Sequence, residues 1–112
     1  MYTVAFVMKR KPGMTLDEFL AYYREVHGPL MVRLIKDKGL VSYEHYPTDP
    51  TVAEGRYVAE TGPAFDAISI YSFGTQEQAE ACWSIPEVIT DSEVFIDFST
   101  MITLPANKRK VF

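Results

Sequence analysis

Twice in this chain a strand-like run of β-branched and aromatic residues leads into a threonine capping box and a helix, and each time a further strand follows. The first unit is YTVAFVMK (Tyr2 to Lys9), a turn at Lys11-Pro12-Gly13, then Thr15-Leu16-Asp17-Glu18. There the threonine hydroxyl can accept from the Glu18 amide while the Glu18 carboxylate reaches back, which satisfies two of the free N–H groups of a helix start. The second unit is FDAISIYSF (Phe65 to Phe73) followed by Gly74-Thr75-Gln76-Glu77-Gln78. Between the units, LVSYEHY (Leu40 to Tyr46) has period two, which places Val41, Tyr43 and His45 on one face. EVFIDFSTMI (Glu93 to Ile102) predicts a fourth strand, after a second helix ended by Pro86. The order β-α-β-β-α-β is the split ferredoxin-like arrangement: an α+β fold with a four-stranded antiparallel sheet and helices on one face.

The first strand has no polar face. Tyr2, Val4, Phe6 and Met8 alternate with Thr3, Ala5 and Val7, so both sides of the sheet need cover. Helices supply one side. A second copy of the chain, sheet against sheet, is the expected cover of the other, which predicts a homodimer.

At 112 residues the chain suits one domain spanning 1–112. Its 47% apolar and 23% charged residues are those of a globular protein. A net charge of −4, with only short basic runs, argues against a nucleic-acid partner. No apolar run approaches the ~18 residues of a membrane span. The single cysteine, Cys82, rules out an intrachain disulfide and points to a cytoplasmic protein. It follows Ala81 and precedes Trp83 on the second helix, where a buried, unreactive thiol is expected. His27 and His45 lack any metal-binding spacing and the glycines are scattered, so neither metal nor organic cofactor is expected.

In the first helix Leu16, Phe19, Leu20, Tyr23, His27 and Leu30 form one buried stripe. Pro29 lacks an N–H and disfavours helical geometry at Gly28, so the helix is expected to stop or kink there and resume with LMVRLIKDK up to Gly39. An imidazole inside that stripe is costly unless its nitrogens find partners. Either His27 is a core residue bonded to a carbonyl freed at the break, or one nitrogen is held by protein and the other faces a ligand. The segment from Pro47 to Ala64 is long for so small a fold and is expected to cover a pocket or form a dimer arm.

Taken together, PGMTLDEFLAYYREVHGPL, GLVSYEHY, PAFDAISIYSF and DSEVFIDFSTM resemble, in order and spacing, the signature of EthD-like proteins. Only the Pro47 to Ala64 segment lacks a clear counterpart. The resemblance implies a dimeric α+β barrel with a pocket between sheet and helices. It also implies kinship with cofactor-free cyclases, decarboxylases and monooxygenases of aromatic polyketides, and with a methylmuconolactone isomerase. The expected function is a cofactor-free enzyme acting on an aromatic, polyketide-like or other apolar oxygenated metabolite. His27 would be the general acid/base, since its ordinary pKa lies near neutral. Asp66 would orient a histidine or bind substrate, or else merely cap a strand. Tyr22, Tyr23 and His45 are candidates to reach the ligand, and Trp83 to wall the pocket. The alternative is a non-catalytic ligand-binding or accessory protein of a degradative oxidoreductase system, as the family's namesake is. Lactone isomerases similar to this chain carry a thiol near the third strand, whereas Cys82 lies on the second helix, so lactone isomerisation by the same route is not expected here, while an oxidoreductase, a decarboxylase or lyase, or an isomerase of another route stays open.

Overall fold

The computed structural model describes residues 1–49, 51 and 64–112. In chain order they form β1 (Tyr2–Met8), α1 (Leu16–Tyr22), a π-helical turn (Tyr23–His27), α2 (Gly28–Ile35), β2 (Leu40–Pro47), β3 (Ala67–Phe73), α3 (Gln76–Trp83), α4 (Pro86–Phe95) and β4 (Ile102–Ala106). The four strands make one antiparallel sheet in the order β2-β3-β1-β4, the ferredoxin-like arrangement. Both capping boxes form, at Thr15 with Glu18 and at Thr75 with Gln78. Most of the expected segment Pro47 to Ala64 lies outside the described residues.

Val4 and Met8 of β1 stand in register with Tyr71 and Ala67 of β3, and this face carries the core. One cluster joins Val4, Met31, Ile35, Tyr71, Phe73 and Cys82; a second joins Met8, Phe19, Tyr23, Phe95 and Ile96; Phe6 packs against both. Burying each of the large apolar side chains contributes about 1.5–3 kcal/mol. The other face presents Ala5, Val7, Ile68 and Ile70 half-buried, with Ile102 and Leu104 exposed. Among the described residues no helix is long and apolar enough to cross a membrane.

Three details depart from what the sequence predicts. The first helix does not stop at Gly28-Pro29. The Gly28 N–H donates to the Tyr23 carbonyl five residues back, giving a π turn, and Pro29 sits in the first turn of α2. In a regular helix the proline ring would collide with the carbonyl four residues earlier, and the wider turn relieves that clash. The extra residue also sets the buried face. Phe19, Tyr23, His27, Met31 and Ile35 are all buried at four-residue intervals. In a regular helix that series would drift by roughly 160°; the π turn returns much of the drift.

The segment from Glu93 to Ile102 is not a strand. Pro86 opens a helix instead of only closing one, since its missing N–H costs nothing in a first turn, and α4 runs to Phe95. Ile96 then makes an isolated bridge to Arg10, Asp97 accepts from Ser99 and Thr100 in a tight turn, and β4 begins at Ile102. Pro105 is tolerated because β4 is an edge strand. Finally, Val41 does not share a face with Tyr43 and His45. The register slips between Leu40 and Ser42, so Val41 bulges out and is exposed.

Candidate functional site

Between the inner face of the sheet and the helices lies a cavity of about 420 Å³, walled by Val4, Phe6, Met31, Tyr71, Trp83 and Val88 among others. His27 enters this wall from the π turn and is only 3% exposed. Its Nδ1 lies 2.7 Å from Oδ2 of Asp91 on α4. The other carboxylate oxygen of Asp91 accepts from the Tyr22 hydroxyl at 2.5 Å. A carboxylate only accepts, so Nδ1 carries the proton and Nε2 carries the lone pair. No described residue hydrogen-bonds Nε2. Burial pushes the imidazole pKa down, against the opposing pull of the Asp91 bond and charge, so the ring is neutral at pH 7. Burial, together with Asp91, pushes the Tyr22 phenol up to about 12, which keeps it a donor.

Local structure explains why Asp91 points inward. With Pro86 in the first turn, Val88, Asp91 and Phe95 fall on one buried stripe of α4. Phe95 packs its ring 4.6 Å from that of His27 and 5.3 Å from that of Tyr22. A buried carboxylate is tolerable only with donors on it, and both oxygens have one.

Behind His27 stands a second polar group. The Tyr23 hydroxyl bonds Ser69 Oγ at 2.7 Å and donates to the Ile68 carbonyl at 3.2 Å. The His45 ring stacks flat on Tyr23 with centroids 3.7 Å apart, and its Nε2 lies 2.5 Å from the Tyr43 hydroxyl. Gly28 makes this stack feasible, since a Cβ there would come within 3.1 Å of His45 Cε1. Burial, with His27 nearby, pushes His45 down to about 4; burial pushes the Tyr43 phenol up to about 12 and that of Tyr71 well above its usual value.

Residues 11–99 match the model of the EthD domain. The chain belongs to the EthD family. No curated protein sequence matches it. Among solved structures, an EthD-like protein from Ralstonia eutropha is 19% identical with a TM-score of 0.68, covering 94% of this chain and 88% of that one. A dimeric ferredoxin-like protein from an uncultured marine organism is 12% identical with a TM-score of 0.63, covering 100% and 98%. An antibiotic biosynthesis monooxygenase is 12% identical with a TM-score of 0.62, covering 98% and 100%.

In this EthD domain the predicted site residues do not all converge. His27 and Trp83 line the cavity. Tyr22 is linked to it only through Asp91 and then His27, and Tyr23 through Ser69. His45 opens with Tyr43 onto a separate, shallow groove beside α2, ringed by Arg24, Arg33 and Lys36. Asp66 is not beside His27. Its carboxylate accepts from the Arg10 amide at 2.8 Å and from the Arg10 guanidinium at 2.9 Å, where it ties the start of β3 to the end of β1. Cys82 is fully buried, and burial pushes its thiol pKa up. Asp91, Ser69 and Tyr71 are the polar residues that sequence reasoning missed. The available signal for Asp91 was an acid on the apolar stripe Val88/Asp91/Phe95, visible once Pro86 is taken as a helix start.

Proposed function

We propose that this EthD-family chain is a small-molecule enzyme that moves a proton on an apolar oxygenated or aromatic metabolite held in the cavity, with His27 as the acid/base. One observation carries the reading: a neutral imidazole, its tautomer fixed by Asp91, sits in the wall of a mostly apolar cavity of about 420 Å³. That volume lies in the range of small-ligand sites. Nε2 takes the proton from an acidic C–H or hydroxyl of the ligand, and the electron pair left behind moves to the ligand's oxygen. Asp91 stabilises the imidazolium while it exists, and Nε2 returns the proton to the same or another atom. Base and orienting carboxylate both belong to the chain, so this step needs no cofactor. The similar antibiotic biosynthesis monooxygenase supports a small organic ligand.

A homodimer belongs to the same reading. The outer face presents Ala5, Val7, Ile68, Ile70, Ile102 and Leu104, an apolar surface that a second sheet would cover, and a structural relative is dimeric.

The test is hydrogen–deuterium exchange at the acidic carbon of a cyclic aromatic ketone, 2-tetralone, followed by proton NMR. The wild type is expected to accelerate exchange, and His27→Asn to lose at least ~10-fold, about 1.4 kcal/mol, while still binding. Equal rates in the two proteins overturn the acid/base role. Binding of the ketone without any acceleration by the wild type makes the protein a carrier instead.

A further inference from the structure

We propose that the cavity is charge-selective, admitting uncharged or cationic ligands and turning away carboxylates, sulfonates and phosphates of fitting shape. The proposal rests on the cavity being the ligand site. Its lining includes two carboxylates, Glu80 of α3 and Glu93 of α4, both solvent-exposed and therefore at the rim. A third, Asp91, stands directly behind His27, and its hydrogen-bond partners are a phenol and a neutral imidazole. Among the described residues no lysine or arginine lines the cavity. Lys11 donates its amine to the Glu93 backbone carbonyl on the exposed surface, outside the lining. Glu80 is held by Gln76 at 3.0 Å, a partner that carries no charge to cancel its own.

An anion entering such a site loses its hydration and meets like charges at the rim, with the Asp91 carboxylate behind the His27 ring adding to the same field. A neutral ligand meets neither penalty. A cation gains from the rim carboxylates and from the rings of Phe6, Tyr71 and Trp83. The same field favours the imidazolium that forms when His27 accepts a proton. The groove beside α2, with Arg24, Arg33 and Lys36, has the opposite sign, so the two openings sort ligands by charge.

The experiment compares two fluorescent probes on one frame, neutral N-phenyl-1-naphthylamine and anionic 8-anilinonaphthalene-1-sulfonate. They are titrated into the wild type and into the double variant Glu80→Gln, Glu93→Gln, whose positions are exposed. Cavity binding is the component lost in either of two filling variants, Val88→Phe and Met101→Phe. The wild type is expected to bind the neutral probe at least tenfold tighter at low salt. The double variant should tighten the anion at least threefold and leave the neutral probe within twofold. Added 0.5 M salt should shrink that difference, since rim charges are screened. An anion no tighter in the double variant overturns the charge filter alone. If the neutral probe binds undiminished in both filling variants, the cavity reading falls with it.

Discussion

Asp91→Asn replaces one acceptor oxygen with a donor at the point where two donors meet. In the native site Oδ2 takes the His27 Nδ1–H and Oδ1 takes the Tyr22 hydroxyl. Asparagine has one oxygen to give, so one of those donors is left facing an NH₂ group. A hydrogen bond to a charged group is worth about 1.5–3 kcal/mol, and losing one should destabilise the fold by about that amount in urea unfolding. If the amide turns its NH₂ toward His27, the ring must accept at Nδ1, and its proton moves to Nε2. The lone pair that faces the cavity is then gone. Nitrogen-15 spectra of the imidazole read this directly: Nδ1 protonated and Nε2 bare in the wild type, the reverse or a mixture in the variant. The pKa moves too. Burial holds it low and Asp91 opposes that, so removing the carboxylate's charge should lower it further. Exchange on 2-tetralone should fall at least ~10-fold. An unchanged tautomer, a pKa equal to or above the wild-type value, and an exchange rate within twofold would together refute the idea that Asp91 positions His27.

Gly28→Ala sets a Cβ 3.1 Å from His45 Cε1 against the roughly 1 kcal/mol that alanine gains in a helix, so a net loss of up to about 2 kcal/mol is expected; a full-stability variant means that ring moves freely. His27 is buried and His45 half-buried, both with folded pKa values below the unfolded 6.5, so the stability they contribute as neutral rings is present above pH 6.5 and lost as pH falls through the folded values. For His45 the window runs from 6.5 to about 4, with roughly 1–2 kcal/mol at stake after allowance for its part-exposed ring. His45→Phe, which keeps the stack on Tyr23, should flatten the urea midpoint over that window, and an unaltered slope places the titration elsewhere. Ile70→Lys with Leu104→Lys should turn a dimer into a monomer by sedimentation at micromolar concentration; a wild type that already sediments as a monomer rules out the sheet-to-sheet interface.

Much of the fold was legible because its signals are local. A capping box joins residues three apart, as Thr15 does with Glu18, and needs nothing else to form. The two-sided apolarity of β1 is a period-two pattern that any sheet must respect. Strand order followed from the succession of elements. Local signals misled where one pattern suits two outcomes. EVFIDF reads as a strand by its β-branched and aromatic residues, yet Pro86 seven residues earlier starts a helix that swallows its first half. Pro29 reads as a helix breaker, yet a π turn absorbs it, since packing of Phe19, Tyr23, His27, Met31 and Ile35 on one face rewards a continuous helix. The sequence also marked His27 as a histidine that needed partners. It could not say which. Asp91 lies 64 positions away and Asp66 is claimed by Arg10, 56 positions from it. A carboxylate carries no sequence mark of its partner. Only the folding of α4 across the π turn brings Asp91 within 2.7 Å of the ring, and that contact, with the cavity beside it, is decided by tertiary packing.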